Sequence, residues 1–257
     1  MIRFCLLGSG SSGNATLVDV DGHKILVDNG LSYKQLEART LGAGMTLAGL
    51  KAIFVTHEHM DHVSGIGVLT RKIDVPVYMT PGTHAALPQS IGKLNNIKYF
   101  EAGEEISING ARVGSFSVSH DAADPVSFVL EAHGLKLGIA ADMGHPGELV
   151  RQRLRGSHGL ILESNYCPDM LSRGSYPPMI QQRIRGRHGH LSNRDMCSLL
   201  ANVLHDALKV VVLVHISREN NTHELARSLA SQAMRGHCAE LHVAGQDGPT
   251  PVFEIRP

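Results

Sequence analysis

The chain has 257 residues, 42% of them hydrophobic, 19% charged and only 4% aromatic with no Trp, and its formal net charge is zero. That balance excludes a disordered or fibrous protein, and it argues against a uniformly basic surface for nucleic acid. No stretch nears the roughly 18 apolar residues that cross a bilayer, and Gly8-Ser9-Gly10-Ser11 interrupts the apolar start before a signal-peptide core forms, so a cytoplasmic protein with no membrane partner is expected.

In chain order, Phe4 to Leu7, Ala15 to Val20 and Lys24 to Asp28 are short apolar runs split by turn residues, the pattern of an antiparallel β-meander. The Gly-Ser loop between the first two, Gly8 to Asn14, has backbone N–H groups able to cradle a phosphate. It lacks the Lys-Ser/Thr ending of a nucleotide loop and reads as a hairpin loop near the site. A short helix over 32–40 precedes the buried strand Lys51 to Thr56, which runs directly into His57. A strand over Val75 to Met79 and a helix over Pro81 to Leu94 follow, then strands at 111–119, 125–132 and 135–141, a helix near 147–155 and a strand over Gly159 to Glu163.

The clearest helix spans Ser192 to Leu208, with Met196, Leu199, Leu200, Val203, Leu204, Ala207 and Leu208 at three- and four-residue intervals. The strand Val210 to Val214 delivers His215, and a helix from about Thr222 to Met234 is expected to bury Leu225, Leu229, Ala233 and Met234. Short strands near 240–244 and 251–255 close the chain. With no Pro/Gly-rich linker between the halves, the pattern predicts a single domain over 1–257, a four-layer αββα sandwich of two mixed sheets flanked by helices, with functional residues gathered at one rim.

Four potential ligands, His57, His59, Asp61 and His62, fall within six residues directly after an apolar strand. Imidazole and carboxylate together suit zinc, and also manganese, iron or nickel. An ion takes about four ligands, so further donors are expected at other strand ends, where His120, Asp142 and His215 stand. Cys5, Cys167, Cys197 and Cys238 are scattered without a CxxC pair, which argues against a disulfide framework and a cysteine zinc site.

The order H-x-H-x-D-H, later His, later Asp, final His resembles the metallo-β-lactamase superfamily over essentially the whole chain. The resemblance implies two divalent ions, zinc before manganese, iron or nickel, one on His57, His59 and His120, the other on Asp61, His62 and His215, with Asp142 shared. It implies that Asp28 orients the loop without touching a metal, and that a hydroxide between the ions is the nucleophile, with Asp61 catalytic. Gly189-His190-Leu191-Ser192-Asn193 before a helix resembles the histidine segment of tRNA 3′-processing endonucleases. That implies His190 as general acid or phosphate contact at a helix start, with Asn193 on the substrate side.

Together, Gly8 to Asn14, Glu163-Ser164-Asn165-Tyr166 and His215 to Asn221 resemble the bacterial YycJ/WalJ-like branch, which implies 5′-to-3′ exonuclease action on DNA. Charge supports a polyanion locally: between Arg151 and Arg194 there are eight arginines against Glu163 and Asp169, so 8 − 2 gives +6, and Arg183, Arg185 and Arg187 are expected to contact phosphates. A small cyclic phosphodiesterase of the phosphoribosyl type is the alternative, and a non-catalytic metal-binding regulatory protein a further one. The oligomeric state stays open, with a homo-oligomer compatible.

Overall fold

The computed structural model describes residues 1–256. The predicted meander is present as β1 (Ile2–Gly8), β2 (Ala15–Val20) and β3 (His23–Val27), paired antiparallel. The sheet continues in parallel through β4 (Leu50–Phe54), β5 (Val77–Met79) and β6 (Ile97–Tyr99). The second sheet begins antiparallel with β7 (Glu105–Ile108), β8 (Ala111–Ser117), β9 (Val126–Ala132) and β10 (Leu135–Ala140). It becomes parallel through β11 (Gly159–Glu163), β12 (Val210–Val214) and β13 (Glu240–Val243), and β14 (Phe253–Ile255) returns to pair with β1, so each sheet has seven strands.

Alternation along the strands builds the layers. Ile2, Phe4 and Leu6 of β1 face Val210, Val212 and Val214 of β12 in the core between the sheets. The intervening Cys5 and Leu7 pack under α1 (Tyr33–Gly42) and α3 (Ile66–Lys72), while Val211 and Leu213 pack under α5 (Glu148–Leu154), α8 (Asn193–Val203) and α9 (His223–Ala233). These strands read as continuous apolar runs because both their faces are covered. The few aromatics are concentrated between the sheets: Phe54 stacks on Tyr78 at 4.7 Å and meets Phe128 edge-on at 5.5 Å, on the strand that delivers His57. The expected four-layer αββα sandwich is therefore what the chain forms.

Several boundaries differ from expectation for identifiable reasons. The helix expected over Pro81 to Leu94 stops as α4 (Pro81–Ala86), because Leu87 precedes Pro88 and is extended, and a single 3-10 turn over Gln89–Ile91 follows. The long helix ends at Val203 rather than Leu208, since Leu204 turns extended, although Leu208 still packs in the same core. On α9 the innermost residues are Ala226 and Ala230, with Leu225 and Leu229 half-buried, because small side chains let this helix sit close against α8. The short elements α2 (Met60–Val63), α6 (Pro168–Arg173) and α7 (Pro178–Arg185) lie outside the expected helices, and α7 buries none of its residues. Among the described residues, no helix is long and apolar enough to cross a membrane.

Candidate metal centre

Chemistry-bearing residues collect where parallel strands end. Asp28 follows β3, His57 follows β4, Asp142 follows β10, Glu163 ends β11 and His215 follows β12, so one rim of both sheets carries them all. Asp28, Asp142 and His215 each adopt a left-handed backbone, with φ of 59°, 51° and 57°. Such a conformation costs a non-glycine residue about 1–3 kcal/mol. Its effect is to turn each side chain from the sheet into the shared space between the rims.

The motif loop is fastened through its backbone. Asn14 N–H donates to the Asp61 carbonyl at 2.7 Å and Asn29 N–H to the His62 carbonyl at 2.8 Å. The contact is so close that a Cβ on Gly30 would lie 1.8 Å from the Asp61 carbonyl oxygen, which leaves room for glycine alone. Asp28 accepts from Thr56 N–H and Oγ1, each at 2.8 Å, and from His62 Nδ1 at 2.8 Å. Thr56 Oγ1, having given its proton to Asp28, accepts from His57 Nδ1 at 2.9 Å. The Gly189 carbonyl accepts from His120 Nδ1 at 3.0 Å. These bonds fix the tautomers, so His57, His62 and His120 all present Nε2 to the centre.

The predicted donors do converge. His57, His59 and His120 form one group able to hold an ion, Asp61, His62 and His215 form another, and Asp142 joins a third with His57 and His62. His57 Nε2 and His120 Nε2 lie 3.1 and 3.3 Å from His59 Nδ1, and Asp142 Oδ2 lies 2.5 Å from His62 Nε2 and 3.7 Å from His57 Nε2. Asp142 Oδ1, although 2.9 Å from His215 Nδ1, makes no aligned hydrogen bond, and His215 Nε2 has no hydrogen-bond partner among the described residues either. Two buried polar atoms without partners, beside imidazoles whose nitrogens face one another, fit divalent cations of the zinc, manganese, iron or nickel kind.

Protonation follows the same geometry. Burial pushes the His57 and His120 imidazoles below the usual histidine range. Burial also opposes charge on His62 and His215, but the carboxylates around them, Asp142 foremost, with Asp28 beside His62 and Asp61 and Glu163 beside His215, together hold both well above that range. Asp142 itself would be raised by burial, yet the His215 and His62 charges bring it well below the usual carboxylate range. A bound cation would neutralise Asp142 in place of these protons.

His190 comes to the centre, but not at a helix start. It lies on coil ahead of Ser192, the N-cap of α8, and its Nδ1 is bonded to Glu163 Oε1 at 2.7 Å. Burial opposes charge there too; Glu163 and Asp142 outweigh it and lift His190 to about 9. Glu163 is fully buried, with Oε2 accepting from Met143 N–H at 2.8 Å. Its role was not foreseen, although a carboxylate ending an apolar strand was the available signal.

The expected substrate contacts divide. Asn193 is buried, bonded to Ser164 Oγ at 2.7 Å and to Asn221 at 2.8 and 2.9 Å, so it braces the strand ends and does not face substrate. Arg183, Arg185 and Arg187 are exposed at the rim, with Arg183 Nε 2.5 Å from Asp121, the neighbour of His120. The rest of the arginine-rich segment is not one strip, since Arg151 and Arg155 pair with Glu148 on α5.

Fold and donor set together define a metal-dependent hydrolase built on two facing sheets. Residues 23–216 match the beta-lactamase superfamily domain. The chain belongs to the metallo-β-lactamase superfamily, in its YycJ/WalJ-like branch. It is 37% identical to exodeoxyribonuclease YycJ of Bacillus anthracis and 32% identical to exodeoxyribonuclease WalJ of Streptococcus pneumoniae, in both cases over 98% of each chain. Among solved structures it is similar to Zn2+-bound PqqB of Methylobacterium extorquens, with a TM-score of 0.72, 18% identity and coverage of 98% of this chain and 100% of that one. It is likewise similar to the metallo-β-lactamase fold protein YhfI of Bacillus subtilis, at 0.70, 14%, 97% and 98%.

Proposed function

We propose that residues 1–257 act as one unit, a 5′-to-3′ exodeoxyribonuclease that uses two divalent ions, zinc before manganese, iron or nickel. The observation that carries this reading is likeness over 98% of both chains to relatives named exodeoxyribonucleases, in a chain where Asp142 forms a further donor group with His57 and His62, one from each of the other two. The ions, when bound, supply an activated water and polarise the phosphoryl oxygens.

The chain's own residues do the rest. Asp61, which accepts from Asn14 Nδ2 at 3.1 Å, takes the proton of the attacking water in this reading. His190, gripped at Nδ1 by Glu163, presents Nε2 and gives its proton to the departing oxygen, a contribution worth about 10²–10⁴ in rate. The new bond joins the water oxygen to phosphorus, and the bond that breaks is the one from phosphorus to the 3′-oxygen. Arg183, Arg185 and Arg187 take adjacent phosphates, which supplies locally the attraction that a net charge of zero does not.

Metal-loaded protein incubated with single- and double-stranded DNA, RNA and small cyclic phosphodiesters, with His59→Ala as control, tests the reading. Mononucleotides released from 5′ ends of DNA, with a rate that falls as salt rises, are expected. Cleavage of the cyclic substrates alone would instead assign a small-molecule phosphodiesterase, and no cleavage of any polynucleotide would end the nuclease reading.

A further inference from the structure

α7 buries none of its side chains, yet its C-terminal end is built against the metal centre. His190 N–H donates to the Ile184 carbonyl at 2.9 Å, and Arg183 Nε lies 2.5 Å from Asp121, the neighbour of His120. The approach is close enough that a Cβ on Gly189 would lie 2.1 Å from the Ile184 carbonyl oxygen. Because the Gly189 carbonyl also accepts from His120 Nδ1, this end of the helix is fixed relative to the donors.

The other end is bare. Pro177 and Pro178, whose rings fix the backbone that enters the helix, are exposed, and so are Met179 and Ile180. Met179 is the most exposed large apolar side chain among the described residues, at 78%, and Ile180 beside it is 37% exposed. Single exposed apolar residues are ordinary, but four in succession on a stiff support are a liability unless they meet something. Ile180 and Ile184 share a helix face one turn apart, and Ile184 borders the same cavity as His190 and His215. The bare end therefore stands about 7–8 Å along the helix from the mouth of the site.

Charge indicates what this end meets. From Pro168 to His190 the chain carries Arg173, Arg183, Arg185 and Arg187 against Asp169 alone, so 4 − 1 gives +3 in a protein of zero net charge. Arginines suit phosphates, and Pro, Met and Ile are side chains that proteins press between base steps. The donors themselves are recessed, with His57, His62, His120, Asp142 and His215 all buried, so a phosphate reaches them more readily on a strand freed from its complement.

We infer that Pro177 to Ile180 are a wedge that parts the terminal base pairs of duplex DNA, so that one strand enters the metal centre unpaired. The inference rests on the exonuclease reading for its place in the reaction. The apolar tip takes over the stacking that an opened pair loses, and Arg183, Arg185 and Arg187 hold the backbone next to it. The wedge acts by binding alone and leaves the hydrolytic step as it is.

One labelled strand, offered alone and in a blunt duplex, tests this with metal-loaded protein. In Met179→Ser/Ile180→Ser the initial rate on the duplex is expected to fall about tenfold, the worth of one stacked base step, while the rate on the single strand stays within about twofold. Met179→Leu should keep the duplex rate, and Met179→Ser alone, at so exposed a position, covers the case in which the double variant does not fold. Equal losses on the two substrates, or an unchanged duplex rate, would overturn the wedge and leave the exonuclease intact. Opening can also be read without turnover, from 2-aminopurine placed in the terminal pair of a duplex blocked by phosphorothioate linkages. Its fluorescence should rise when wild-type protein binds and not when the double variant binds, and no rise with wild type overturns the inference. A dimer in sedimentation that the double variant converts to monomer would assign the tip to a second copy of this chain and overturn it as well. Absence of all DNA cleavage, with the fluorescence rise present, would count against the exonuclease reading alone.

Discussion

On the first sheet, His57, His59, Asp61 and His62 lie within six residues, and the backbone of Asn14, Asn29 and Gly30 clamps them. On the second, Asp142, Glu163, His190 and His215 come from four separate segments and are held to one another by charge, with left-handed backbone at Asp142 and His215. The first rim is thus a preformed claw, whose tautomers are set by Asp28, Thr56 and their hydrogen bonds. The second is an electrostatic assembly, in which each acid or imidazole depends on the others for its protonation state. Damage to the first should therefore appear as lost metal, and damage to Glu163 or His190 on the second as lost chemistry or altered pH dependence.

The largest effect falls where the rims meet. Asp142→Ala should lower phosphodiester hydrolysis at saturating metal by about a thousandfold or more, since under the proposed two-ion reading several kcal/mol of charge stabilisation would pass through this carboxylate. A residual rate within tenfold of wild type would show that the two rims work separately.

Next come paired variants that separate the rims. Asp28→Asn should weaken metal affinity by about 10–100-fold, measured by competition with a chromogenic chelator, because its partner His62 loses its fixed tautomer. Glu163→Gln, nearly the same shape, should leave that affinity close to wild type yet lower kcat by about a hundredfold through His190. Equal loss of metal in both variants would place Glu163 among the ligands and erase the distinction.

The smallest effect is in stability. His190, lifted to about 9, exceeds its ordinary value of about 6.5, so its contribution to the metal-free fold is complete below about pH 6.5 and disappears as pH rises through 9. His62 and His215 are raised in the same sense, whereas His57 and His120, lowered, act only below about pH 6.5. Chelated protein should accordingly lose Tm between pH 6.5 and 9.5, roughly 2–4 °C for each kcal/mol. Metal-loaded protein should not, because cations neutralise Asp142 there, and parallel curves in scanning calorimetry would contradict the electrostatic account of the second rim.

These contrasts explain what was readable in advance. His57 to His62 announced itself because a claw made of neighbours in sequence leaves its spacing in the sequence, and His120, Asp142 and His215 were found because each follows an apolar strand. The strands and layers were legible for the same reason, local alternation. Helix ends were less so: Leu87 before Pro88 and the turn at Leu204 shorten two helices, and packing against α8 makes Ala226 and Ala230 the buried residues of α9.

The sequence by itself determined the class of chemistry, the sandwich and the main donors, because periodicity and ligand spacing are properties of neighbouring residues. Only the tertiary structure decided that Glu163 grips His190, that Asn193 braces strand ends, and that α7 is pinned at Asp121 with Met179 left bare. Those assignments depend on contacts between residues far apart in the chain, and no local pattern records which distant segments a folded sheet brings face to face.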